Sequence, residues 1–228
     1  MKTIALITAR GGSKRIPKKN IKEFCGKPII AYSIEAALQS GLFDEVMVST
    51  DSEEIRDIAL KYGAKVPFLR SAETSSDYAT SSDVIMEVVN RYEEMGIHFD
   101  YGCCIYPTAP FVTAARLAEA MNKIIDTKAD SLIPVVQFSF PPLRGVVMNG
   151  DRITMKWPEF TNSRSQDLEK IYHDCGQFYA FNVEAFKKNK SFWAGDVASI
   201  EIPEVEVQDI DTNEDWELAE LKYKYLHG

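Results

Sequence analysis

The chain has 228 residues, 45% of them hydrophobic, 11% aromatic and 26% charged, a globular composition that excludes a disordered, collagen-like or coiled-coil protein. The longest stretch free of charged side chains, Tyr101 to Ala115, holds two prolines and is too short to span a bilayer, and the N-terminus lacks the apolar core and cleavage site of a signal peptide. Four cysteines with no CxxC spacing suggest neither a disulfide framework nor a zinc ribbon, so a reduced, cytoplasmic protein with no membrane partner is expected.

Thr3 to Ala9 is an apolar run entering Arg10-Gly11-Gly12-Ser13, the pattern of a buried parallel strand that opens into a glycine loop. Pro28 to Ser40 predicts a helix with proline in its first turn and Gly41 as its stop. Glu45 to Thr50 reads as the second strand, Glu53 to Tyr62 as a helix capped by Asp51-Ser52, and Val66 to Leu69 as a short strand. Ser81 to Met95 places Val84, Ile85, Val88, Val89 and Tyr92 on one helical face. Asp100 to Tyr106, Thr113 to Ile125 and Ser131 to Val136 continue the alternation of strand and helix. That alternation predicts an α/β fold: a Rossmann-like, mostly parallel sheet with helices on both faces.

The pattern breaks between Gln137 and Asp174, where Pro141-Pro142, Gly145, Asn149-Gly150-Asp151 and Pro158 interrupt short β-like pieces; an inserted β-hairpin arm is expected here. Gly176 to Asn182 resumes as a strand, Ala198 to Ile202 as an edge piece, and Asn213 to Leu226 as a C-terminal helix capped by Asn213 that offers Trp216, Leu218, Ala219 and Leu221 for packing. A single domain over 1–228, with 137–174 as its arm, is the simplest organisation.

The net charge of −8 conceals a separation along the chain. Arg10, Lys14, Arg15, Lys18, Lys19 and Lys22 form a run without acids, whereas Glu201 to Glu217 carries eight acids and no base. Either run alone reads first as a solvated face. The acidic total disfavours nucleic acid as a partner, and a small polyanion held between the cationic loop and a metal on the acids fits both runs. No GxGxxG can be written across the loop, and Gly26-Lys27 is followed by Pro28 rather than Ser or Thr, so neither a dinucleotide fingerprint nor a P-loop is present.

The segment Ile7-Thr8-Ala9-Arg10-Gly11-Gly12-Ser13-Lys14-Arg15-Ile16-Pro17-Lys18-Lys19-Asn20, with Gly26-Lys27-Pro28, resembles the signature of the CMP-sialic acid synthetase group of cytidylyltransferases. The resemblance extends through Ser49-Thr50-Asp51, Arg70, Asp77 to Ser81, Pro107 to Pro110 and Asp209-Ile210-Asp211. Asn162 to Leu168 and Tyr172 to Tyr179 look most like the branch acting on pseudaminic acid. The sharpest departure is Tyr106, where members of the group usually carry a glutamine that helps to read cytosine.

The resemblance implies a nucleotide-diphospho-sugar transferase type of fold and a CTP-dependent transfer to a nonulosonic sugar acid, with Mg²⁺ as cofactor, in a homodimer. Its implied nucleotide site is Ala9, Arg10, Gly11, Gly12, Ser13, Lys14, Lys19, Arg70, Asp77, Thr80, Ser81 and Tyr106, with Arg10, Lys19, Asp209 and Asp211 catalytic. Asp209 and Asp211, spaced i and i+2, face one side of an extended segment and can share a hard cation; spacing alone favours capping or a solvated face, and the resemblance reverses that preference. Arg164, Gln166, His173 and Tyr179 are implied for the sugar acid. For Arg164 a surface ion pair is the bland alternative, and for His173 a satisfied structural histidine. His173 and Asp174 are strand neighbours and so are not expected to pair. Cys103 and Cys104 lack ligand spacing, so zinc is not expected. The same reaction on N-acetylneuraminic, legionaminic or deoxyoctulosonic acid, and a catalytically silent nucleotide-binding regulator, stand as alternatives.

Overall fold

The apolar run at the N-terminus forms β1 (Thr3–Thr8), and Ile4, Ala5, Leu6 and Ile7 are all buried because both faces of this strand are covered. A computed structural model describes residues 1–228. After the glycine loop, β2 (Glu23–Phe24) and β3 (Lys27–Pro28) make a small hairpin whose turn holds Cys25 and Gly26 at positive φ. Helix α1 (Ile29–Ser40) stops at Gly41 in the left-handed conformation, and β4 (Glu45–Ser49) follows. Helix α2 (Glu53–Lys61) is capped by Ser52, and α3 (Ser81–Glu94) begins with a reciprocal capping box between Thr80 and Asp83. β5 (Tyr101–Ile105), α4 (Ala114–Thr127) and β6 (Ser131–Gln137) complete the regular part.

The interrupted region forms a two-stranded antiparallel hairpin, β7 (Val146–Asn149) and β8 (Arg152–Met155), turning at Gly150 and paired with no other strand. It returns through β9 (Tyr172–Asp174), antiparallel to β6, and then β10 (Phe178–Asn182), α5 (Val183–Asn189), β11 (Val197–Glu201) and α6 (Asn213–His227).

The main sheet runs β11-β6-β10-β5-β1-β4. The β5-β1-β4 and β11-β6 pairings are parallel, while β10 is antiparallel to both β5 and β6 and joins the two parallel blocks. Residues of α1, α2 and α4 pack against one face and residues of α3 and α5 against the other, as the alternation predicts. A third cluster seats Trp216 and Ala219 of α6 on Phe24, Ile29 and Tyr32, which ties the C-terminal helix to the hairpin that follows the glycine loop.

Three expectations need correction, and one element, α5, stands where none was expected. Val66 to Leu69 is not a strand: Lys65 makes a single bridge to Met47, and Pro67, which has no N–H to give, stands where a ladder would continue. Helix α5 breaks the simple run between the last two long strands; Asn182 caps it by accepting from the Ala185 N–H. Thr212, not Asn213, caps α6, in a second capping box with Asp215. Within α6, Leu218 and Leu221 are 45% and 65% exposed rather than packed.

Candidate active site

The order of strands explains where the site lies. From β1 the chain crosses to β4 on one side and later to β5 on the other, and at this switch point the loops leaving the carboxyl ends of the strands diverge to leave a crevice. The crevice is a cleft of about 510 Å³ lined by the glycine loop, the 71–80 loop, the start of α3 and the residues after β5. Five cations border it, Arg10, Lys14, Arg15, Lys19 and Arg70, against one carboxylate, Asp77, so the cleft favours a polyanion.

Local bonding decides what the loop can offer. Asn20 is buried and its side-chain amide donates to the Arg10 carbonyl at 2.9 Å, bracing the loop from beneath. The Ala9 N–H is used by the Ser49 carbonyl, the Gly11 N–H by Asp51 Oδ1 at 2.8 Å and the Ser13 N–H by the Gly11 carbonyl. Ala9 and Gly11 therefore shape the loop rather than present donors. The N–H groups of Gly12, Lys14, Arg15 and Ile16 have no intramolecular acceptor and are the donors this segment leaves free.

Arg70 is buried at the cleft wall and donates to the Ser49 hydroxyl and carbonyl at 3.0 and 2.6 Å; burial lowers its pKa, and no carboxylate lies within ion-pair distance. Tyr106 also borders the cleft, with its pKa raised by burial, its N–H on the Gln177 carbonyl and its ring 5.4 Å from that of Tyr179. Thr80 and Ser81 lie at the N-terminus of α3, where the helix dipole favours negative charge, although the Thr80 hydroxyl is committed to Asp83.

A second chamber of about 350 Å³ is lined by Val136, His173, Asp174, Cys175, Gly176, Glu204, Val207, Gln208, Asp209 and Lys222. Two connections join it to the cleft. Lys19 Nζ donates to the Ile210 carbonyl at 2.6 Å and lies 3.4 Å from Asp211 Oδ1, which Arg15 Nη2 approaches at 2.8 Å. The Tyr179 hydroxyl donates to Asp174 Oδ2 at 2.6 Å behind Tyr106. Asp209 opens to solvent, yet the protein packed around it and the neighbouring Asp211 raise its pKa. No cation pairs with it, and no third His, Cys, Asp or Glu joins the two carboxylates, so a hard divalent ion on this pair would draw its other ligands from phosphate oxygens and water.

The residues expected to hold the sugar acid are not all brought together. His173 lines the second chamber, lies with its ring tilted 4.6 Å from that of Phe138 and shares Nδ1 with the Asp174 backbone carbonyl, not its carboxylate. Tyr179 is 4% exposed and stacked on Phe192, so it orients Asp174 instead of lining a chamber. Arg164 and Gln166 lie on the arm outside both chambers; Arg164 is 72% exposed and donates to Asp167 at 2.7 Å. Asn20, Asp51, Asp174 and Lys222 were given no site role from the sequence, although Asn20 and Asp51 stand in the segments that carry the resemblance and Asp174 was weighed as a partner of His173. Asn20 closes the motif that carries the resemblance, a signal that was available; Lys222 had none.

The profile of the cytidylyltransferase family matches residues 4–189, most of the chain. The protein belongs to this family. It is accordingly a nucleotidyltransferase enzyme. Over all 228 residues it is 42% identical to the pseudaminic acid cytidylyltransferase of Campylobacter jejuni, covering 98% of that protein. It is 34% identical to the CMP-N,N'-diacetyllegionaminic acid synthase of Legionella pneumophila, with 96% of this chain and 95% of that one aligned. The structure of a CMP:2-keto-3-deoxy-manno-octonic acid synthetase complexed with CTP shares the fold, with a TM-score of 0.73 and 17% identity over 99% of both chains. No helix of the enzyme is long and apolar enough to cross a membrane.

Proposed function

We propose that the enzyme transfers the cytidylyl group of CTP to a nonulosonic acid, pseudaminic acid first among them, and releases pyrophosphate. The observation that carries this reading is the placement of two chambers on either side of one acidic segment: the five-cation cleft meets it through Lys19, and the smaller chamber through Asp209. The relatives acting on pseudaminic and legionaminic acids support the acceptor class.

In this reading Arg10, Lys14 and Lys19 hold the triphosphate with the free Gly12 N–H and the Ser13 hydroxyl, while Arg70, Ser81 and Tyr106 face the nucleoside. The acceptor occupies the second chamber, with His173, Asp174 and Gln208 as hydrogen-bonding partners. Its anomeric oxygen attacks the α-phosphorus, the bond from that phosphorus to the bridging oxygen breaks, pyrophosphate leaves with the electron pair, and the hydroxyl proton passes to solvent. Mg²⁺ held by Asp209 and Asp211 would neutralise triphosphate charge and lower the pKa of a coordinated hydroxyl. Residues 1–228 act as one cytoplasmic domain whose 137–174 arm pairs two copies, so that Arg164 and Gln166 serve a chamber of the partner. The Pro-rich arm with Phe140 exposed supports this pairing, because such a hairpin cannot bury both faces on its own sheet.

Pyrophosphate release with CTP and a panel of nonulosonic acids tests the reading. Preferred turnover of pseudaminic acid is expected. Preference for N-acetylneuraminic acid would move the enzyme to another branch, and CTP binding without turnover of any acid would favour the silent nucleotide binder.

A further inference from the structure

Helix α6 turns an unexpected residue inward. Trp216 and Ala219 are buried, and one more helical step on that face brings Lys222, while the apolar Leu218 and Leu221 face solvent. A lysine on the packed face of a helix that leaves leucines outside is a local conflict of the kind found at functional positions.

The surroundings of the Lys222 ammonium suit an anion. It donates to the Val207 carbonyl at 2.8 Å and the Glu204 carbonyl at 3.4 Å, both neutral, and one of its three donors has no acceptor. No carboxylate lies within ion-pair distance of it, Glu204 acting on it only from further away, and desolvation lowers the lysine's pKa. Lys222 is the one permanent cation lining the second chamber, whose other charged groups are the carboxylates of Asp174, Glu204 and Asp209.

We propose that Lys222 holds the carboxylate of the acceptor acid in the second chamber and thereby fixes which end of the sugar faces the transferred phosphorus. With Asp209 given over to the metal, a carboxylate entering this space is repelled by Asp174 and Glu204 and drawn to Lys222, which favours the orientation that sets it against α6. The hydroxyl and amide groups of the ligand then face Asp174, Gln208 and His173. Lys222 does in its own subunit what Arg164, on the exposed arm, does for neither chamber of that subunit. The inference rests on the nonulosonic-acid reading above.

The competing explanation is mechanical: Lys222 ties α6 to the turn at 204–207 and nothing more. Steady-state kinetics of Lys222→Gln with pseudaminic acid and its methyl ester separates the two. The KM for the acid should rise at least about tenfold while the KM for CTP holds and the Tm falls only slightly, because the charge-assisted hydrogen bond to the acceptor is lost together with bonds to two neutral carbonyls. The ester, which lacks the charge, should be handled equally poorly by wild type and variant. Parallel loss of Tm and of both KM values, or an equal penalty on acid and ester, would overturn the assignment. Lys222→Arg keeps the cation and is the recourse where Lys222→Gln does not fold; it should preserve the preference for acid over ester, and loss of that preference in a folded Arg variant also overturns the assignment. Wild-type enzyme that turns over no nonulosonic acid overturns the functional reading and this inference together, whereas active wild type with an unchanged Lys222→Gln variant overturns this inference alone.

Discussion

Arg10 Nη1 donates to Asp77 Oδ1 at 2.8 Å, and Lys14 Nζ takes the other oxygen of the same carboxylate, so one acid of the 71–80 loop spans two cations of the glycine loop. The carboxylate holds the two cations that the proposed function gives to the triphosphate, so on that proposal nucleotide and Asp77 compete for them. Asp77→Asn should therefore tighten CTP binding by about threefold to tenfold at low ionic strength, with a smaller gain at high salt. Calorimetric titration at two salt concentrations measures this. Weaker binding by the variant would show instead that Asp77 touches the nucleotide directly.

The same bridge has a pH signature. The hydrogen bonds from Lys14 and Arg10 hold Asp77 below the ordinary carboxylate range. A carboxylate whose pKa is lowered by folding stabilises the fold above its unfolded pKa, about 3.9, and loses that contribution as pH falls through the lower folded value. The Tm difference between wild type and Asp77→Asn should thus be steady from about pH 8 to about pH 5 and disappear in acid below about pH 3.9. A difference that grows on acidification would contradict the assignment.

Asp209→Asn and Asp211→Asn keep shape and remove charge. Each should lower turnover by more than about tenfold or raise the divalent-metal concentration needed for half-maximal activity. The two should differ in one respect: Asp211 also pairs with Arg15 and Lys19, so its variant alone should loosen the loop and weaken CTP binding. Metal titrations alongside nucleotide binding resolve the two effects. Wild-type metal dependence in both variants would send the search for ligands elsewhere.

Gly102 sits opposite Phe181 across β5 and β10, and a Cβ there would run into the phenyl ring. Gly102→Ala should cost about 1–3 kcal/mol by overpacking, read as a fall in Tm. An unchanged Tm would mean that the ring has room to turn aside.

Thr212→Ala removes the cap of α6 and should cost about 1 kcal/mol. Because Asp215 Oδ2 also accepts from the Asp211 N–H at 3.1 Å, metal affinity should weaken with it. Thermal unfolding followed by a metal titration tests both parts, and a stability loss with intact metal affinity would separate the cap from the site.

Much of the fold and of the cleft was legible because periodicity and loop chemistry act locally. The runs at Thr3, Glu45 and Asp100 are strands buried on both faces, and Gly41, Ser52 and Thr80 end or begin helices by bonds within a few residues. What escaped depends on partners distant in sequence. The loss of the Gly11 N–H to Asp51, the burial of Tyr179 behind Asp174 and the inward turn of Lys222 each follow from where a remote segment docks, and no spacing within the loop, the strand or the helix encodes them.

The antiparallel β10 also governs the order in which the chain can become whole. Until residues 178–182 emerge during synthesis, β5 has one open edge and β6 lies on the far side of a missing strand, so neither half of the sheet is closed. The glycine loop, made first, must wait for the last quarter of the chain before the strand behind Tyr106 and the acidic segment that Lys19 holds arrive. A nascent chain halted before Phe178 would leave open the facing edges of β5 and β6 and also the edge of β6 that β11 later covers, a state with more unpaired strand edge than the finished sheet.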